Sequence, residues 1–99
     1  RLASLHREAA HQRAVTTTLE VLLEAADAAP PEASLLGAHE DDDGDWFATI
    51  ATPYGRLSVF VDRDGTQYWH VVTKAPSADM HDGAITPGEA RAALAGLVP

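Results

Sequence analysis

The stretch from Arg56 to Lys74, RLSVFVDRDGTQYWHVVTK, limits what this chain can fold into more than any other. Two runs rich in β-branched and aromatic residues flank Asp64-Gly65. The pattern predicts a β-hairpin closed by a two-residue type I′ turn, whose central residues both take positive φ. That turn would pair Val61 with Tyr68, Phe60 with Trp69, Val59 with His70, Ser58 with Val71 and Leu57 with Val72. One face would then carry Leu57, Val59, Val61, Tyr68, His70 and Val72, and the other Ser58, Phe60, Trp69 and Val71.

A further strand, WFATIA, precedes the turn sequence TPYG. Pro53 suits the second position of a type I turn and Gly55 the left-handed position after it. A slip of one residue would exchange the faces of Trp46 and Phe47, so one large aromatic joins each face in either register. A sheet this small with two apolar faces needs cover on both.

Residues 1–29 read as a helix, rich in Ala, Leu, Glu and Arg and free of Gly and Pro. Leu5, Ala9, Leu19, Leu23 and Ala26 fall on one stripe, although Gln12 and Thr16 interrupt it. Pro30 and Pro31 stop the helix. Residues 30–45, PPEASLLGAHEDDDGD, have no clean period and read as an acidic connector, with Leu35 and Leu36 tucked onto the core. The expected fold is one α+β domain over residues 1–99. A three-stranded antiparallel meander over 46–75 is joined by the long N-terminal helix and a short C-terminal helix over 86–97, in the order α-β-β-β-α.

Charge narrows the function classes. The net charge is −8, and residues 1–45 hold ten acidic against three basic side chains. The order α-β-β-β-α is similar to that of double-stranded-RNA-binding domains. The three strands and helix also resemble the small DNA-reading sheets at the start of phage integrases. Both families rely on basic residues at the binding face. Here only Arg56, Arg63, Lys74 and Arg91 follow residue 45, with acids interleaved, so direct nucleic-acid binding is not expected. Cysteine is absent, which excludes disulfides and thiolate chemistry. No apolar run reaches bilayer-spanning length and no leader is evident, so a cytoplasmic protein without membrane contact is expected.

Motifs for chemistry are few. DGAITPGE, residues 82–89, resembles the back half of an EF-hand loop. The carboxylates required earlier in such a loop are replaced by Ala78 and Met80, and Thr86-Pro87-Gly88-Glu89 reads more simply as a helix capping box. Asp41, Asp43 and Asp45 have calcium-like spacing, but Trp46 and Thr52 stand where glycine and glutamate belong. They are weak metal candidates, and a solvated acidic loop is the simpler account. His6 and His11 are five residues apart and point about 140° from one another on a helix, which excludes the zinc-protease pattern.

Two side-chain groups remain. Phe60, Trp69 and Val71 form an expected apolar patch for a protein partner. His70 and Tyr68 form a candidate ligand contact on the opposite face. No catalytic set and no cofactor are expected. The leading expectation is a non-catalytic binding or regulatory module acting by protein–protein contact as a homodimer. An acidic inhibitor of a nucleic-acid-binding protein, and a small-molecule domain centred on His70, are the alternatives.

Overall fold

The computed structural model describes residues 2–73 and 78–97. A long helix α1 (Leu2–Ala25) runs into a 3-10 turn (Ala26–Ala28) before Pro30. Five strands follow: β1 (Ser34–Glu40), β2 (Trp46–Thr52), β3 (Gly55–Val61), β4 (Gln67–Thr73) and β5 (Ala78–Asp82). Helix α2 (Pro87–Ala95) comes after them. The strands form one antiparallel meander in the order β1-β2-β3-β4-β5.

The class is α+β, but the sheet has five strands rather than three. The extra strands lie where the sequence pattern is weakest. β1 occupies the expected connector, and a bulge between Leu36 and Ala38 shifts its pairing with β2. An extra residue there breaks the two-residue period that marks a strand. β5, Ala-Asp-Met-His-Asp, has no β-branched residue. Arg1, and Lys74 and Ala75 at the end of the expected meander, lie outside the described residues, as does the side chain of Leu36. Leu35 is 48% exposed rather than tucked into the core.

The β3–β4 hairpin forms, but its register differs by one residue. Val61 pairs with Gln67, Phe60 with Tyr68, Val59 with Trp69, Ser58 with His70 and Leu57 with Val71. The loop has three residues, not two. The Asp62 amide donates to the Thr66 carbonyl (2.8 Å), and the Gly65 amide to the Asp62 carbonyl (2.8 Å). Only Gly65 takes positive φ (91°), so this is a turn followed by a left-handed glycine. Asp64 instead accepts a hydrogen bond from the Thr66 amide at 2.9 Å. The slip moves every β4 side chain to the other face. The β1–β2 loop is built the same way: the Asp41 amide donates to the Asp45 carbonyl (2.9 Å), the Gly44 amide to the Asp41 carbonyl (3.0 Å), and Gly44 has φ 82°. Asp41-Asp42-Asp43-Gly44 and Asp62-Arg63-Asp64-Gly65 are thus one turn sequence, Asp-x-Asp-Gly, used twice at one end of the sheet.

Both helices pack on one face. Val21, Leu22 and Ala25 of α1 and Ala90 and Leu94 of α2 join Trp46, Ala48, Ile50, Leu57, Val59, Val61 and Trp69 in a single core, with Ile85 and Leu97 beside α2. The expected helix stripe is not the buried one: Leu5 and Leu23 are 52% and 61% exposed. The buried line instead contains two polar residues, His11 and Thr18. Each is accommodated by a partner from the sheet. Thr18 donates to the Gln67 side-chain oxygen at 3.1 Å. His11 Nδ1 lies 2.9 Å from the Asp62 carbonyl oxygen and Nε2 3.2 Å from a Glu40 carboxylate oxygen. A carbonyl only accepts, so Nδ1 donates to it.

The start of α2 follows local sequence. The Thr86 hydroxyl accepts from the Glu89 amide (3.2 Å) and the Thr86 amide donates to the Glu89 carboxylate (3.0 Å), with Pro87 in the first turn. Those bonds hold the Glu89 carboxyl below its ordinary value. At the far end of α2, Leu97 packs over Gly55. A Cβ on Gly55 would lie 2.3 Å from the Val72 carbonyl oxygen, so only glycine fits there.

Candidate functional site

The observed register gathers the aromatic residues that do not enter the core onto the other sheet face. Phe47 is opposite Phe60 and Phe60 opposite Tyr68. Their rings form a file: Phe47 and Phe60 centroids are 6.3 Å apart, and Phe60 and Tyr68 are stacked at 4.7 Å. The His70 ring sits 5.2 Å from Phe60 and tilted to it. All four side chains are half-buried, and none belongs to the helix-covered core. Met80, opposite His70, is 61% exposed on the same face.

The charges on this face are divided between its ends. Arg56 lies at the start of β3, exposed, and has no ion-pair partner among the described residues. Asp62 lies at the other end, and Asp82 opposite Tyr68 is exposed there too. The Tyr68 hydroxyl donates to the Asp62 carboxylate. Partial burial, and then the carboxylates of Asp45 and Asp64, push the Asp62 carboxyl above its ordinary value; the Tyr68 bond opposes this. Partial burial and the Asp62 charge likewise raise Tyr68. His70 is held below its ordinary value, by burial first and by the Arg56 charge second.

The expected partner patch of Phe60, Trp69 and Val71 is therefore divided. Phe60 is on the open face, whereas Trp69 is a core residue, 5% exposed, with Val71 half-buried against the core on the same side. Trp69 stacks on the His81 ring at 4.0 Å instead. The candidate ligand residues Tyr68 and His70 do share a face, but it is the face of Phe60. Ser58 proves to lie opposite His70, a pairing the two-residue turn concealed. Its hydroxyl is bonded to that of Thr49 at 2.8 Å, so the pair is not arranged as a nucleophile and its base.

Asp41, Asp43 and Asp45 are brought together, with carboxylate oxygens within 4.8 Å of one another. Their geometry serves the turn. Asp41 accepts from the Asp43 and Asp45 amides at 3.0 Å each, and Asp45 accepts from the Arg63 amide at 2.8 Å. Such bonds account for the cluster without an ion.

A second surface was not foreseen. Between the last turns of α1 and the first residues of β1 lies an apolar groove of about 400 Å³, lined by Leu19, Leu22, Leu23, Pro30, Leu35 and Ile50 among others. Towards the other end of β1, the space between the same two elements is polar, lined by Glu8, Gln12, His11 and Glu40. The bulge that hid β1 from sequence reading hid this trough with it.

No protein-family model, curated protein or solved structure matches this chain. Among the described residues, no helix is long and apolar enough to cross a membrane.

Proposed function

We propose that this chain is a non-catalytic binding module that works by protein–protein contact and associates with a second copy of itself through the open sheet face. The observation that carries the reading is the file of Phe47, Phe60 and Tyr68, with His70 beside it, on a face that neither helix covers. Apolar surface of this kind is stabilised by removal from water, and aromatic residues concentrate where partners bind.

Charge favours a second copy as the occupant. Two sheets packed face to face with their strands running in opposite senses bring Arg56 of each copy to the Asp62 and Asp82 end of the other. Area supports the same arrangement. Five strands spaced about 4.8 Å and about 23 Å long present roughly 500 Å². Two copies then bury about 1,000 Å², at the threshold of a specific interface.

Light scattering is expected to give twice the chain mass of 10.5 kDa. Phe60→Asp is expected to give a monomer with unchanged far-UV circular dichroism. Arg56→Glu should weaken association by about tenfold, and adding Asp82→Arg should restore it. A wild-type protein that stays monomeric at about 100 μM, a concentration where a micromolar dimer is fully formed, overturns the reading.

A further inference from the structure

The two edges of the sheet are protected unequally. β5 is five residues long and carries Asp79 and Asp82, the length and charge that discourage another strand from pairing. β1 is seven residues long, Ser-Leu-Leu-Gly-Ala-His-Glu, with its one charge at the end and a single bulge as its guard. β1 is the edge strand of the sheet, paired on one side with β2, and a recess against α1 lies beside each of its ends. The trough is apolar where β1 begins, at Leu35 and Ile50. It is acidic where β1 ends: Glu8 and Glu40 line it and Asp41, Asp42 and Asp43 are exposed in the loop that follows, against Arg63 in the lining and Arg7 beside Glu8.

We propose that this trough docks an extended segment of a partner protein. The segment adds an antiparallel strand to β1 and seats large apolar side chains against Leu22, Leu23, Leu35 and Ile50. Basic residues at its N-terminal end sit beside Glu8, Glu40 and Asp41. The direction follows from the charge: an antiparallel strand begins where β1 ends, so its first residues meet the carboxylates. Main-chain hydrogen bonds to an open edge supply affinity, and the groove and the acids supply selectivity. A second copy of this chain is a poor occupant. Two β1 strands paired antiparallel about Gly37 set Asp42 of one against Glu32 of the other, and neither brings a basic segment. The proposal concerns a surface separate from the open face, so either can fail without the other.

The test uses a synthetic ten-residue peptide with Arg-Arg at its N-terminal end, alternating Thr and Val in the middle, and Trp-Leu at its C-terminal end. Binding to the full chain is read by fluorescence anisotropy at low and at moderate salt. Micromolar binding that weakens with salt is expected, together with slowed amide exchange over residues 34–40. Leu23→Glu, an exposed helix position that folding tolerates, should weaken binding by at least about tenfold, and Glu40→Lys by about tenfold at low salt. The same composition with Arg-Arg at the C-terminal end, and a peptide N-methylated at alternate residues, should each bind at least about tenfold more weakly. No binding at about 1 mM peptide overturns the proposal, as does equal binding of the N-methylated or reversed peptide. Self-association lost in Leu23→Glu but retained in Phe60→Asp also overturns it, by assigning the trough to a second copy.

Discussion

The two faces of the sheet are made by the same strands, yet they differ in kind. The covered face holds Trp46, Ala48, Ile50, Leu57, Val59, Val61 and Trp69, all below 10% exposed, under two helices. The open face holds Phe47, Phe60, Tyr68 and His70, packed on one another and half in water. Besides the His81 ring stacked on Trp69, each face has a histidine in a different setting. His11 reaches the covered side from α1 and is closed between a carbonyl and a carboxylate. His70 on the open side has ring contacts and a nearby cation. Apolar composition does not separate the faces. What separates them is whether helix residues complete the packing, and the register of one hairpin decides which residues are offered to the helices.

The sharpest way to break this comparison is to remove one large aromatic from each face. Trp69→Ala should cost about 3–5 kcal/mol in urea unfolding, because it opens a cavity in the core. Phe60→Ala should cost about 1 kcal/mol, mainly its ring contacts, when compared in a monomeric background. Equal losses would mean that the open face is as much a core as the covered one.

His11→Ala should cost about 1–3 kcal/mol, since it empties a buried position under α1 and removes the ring's contacts with the Glu40 carboxylate and the Asp62 carbonyl, which keeps only the Gly65 amide. The loss should appear as a lower urea midpoint with an unchanged slope. A loss within about 0.3 kcal/mol, the size of an ordinary surface change, would show that the site gains nothing from a polar residue under α1.

Gly65→Ala tests the turn that sets the faces. A Cβ at Gly65 meets nothing within 4 Å, so only its φ of 91° resists the change. A loss of about 1 kcal/mol is expected in thermal unfolding, with Trp69 still shielded from a fluorescence quencher. A newly exposed Trp69 would instead mean that the register had slipped.

The smallest effect is the pH dependence assigned to His70. The folded chain holds it below the ordinary value of 6.5, by burial and then by Arg56. The unfolded chain therefore binds the proton more readily, and stability falls as pH drops through about 6.5 towards the folded value. His70→Gln should flatten that part of the stability–pH curve. Identical curves for both proteins between about pH 5 and 7 would remove His70 as the cause.

Legibility followed range. The cap at Thr86, Pro87 and Glu89 involves neighbours in the chain, and α2 begins there as expected. The end of α1 before Pro30 was readable for the same reason. The hairpin itself was evident, but Asp64-Gly65 serves a two-residue or a three-residue loop equally well. The choice rests on the bond between Asp62 and Thr66, which the repeat of Asp-x-Asp-Gly at Asp41 would have signalled. Phe60, Tyr68 and His70 were singled out from sequence and do cluster. Trp69 and Val71 were set beside Phe60 by the one-residue error. The trough was unreadable, because β1 is interrupted by its bulge and the groove exists only where α1 passes over it.

Sequence alone determined the α+β class, the antiparallel hairpin, both helices and the acidic N-terminal half. These depend on residue type and on contacts a few positions apart. Only the tertiary structure decided the outer strands, the side of the sheet that both helices cover, and the partners that let His11 and Thr18 lie beneath α1. Each is a contact between segments far apart in the chain. Where both faces of a sheet are apolar, composition offers no preference between them, and a single loop residue tips the balance.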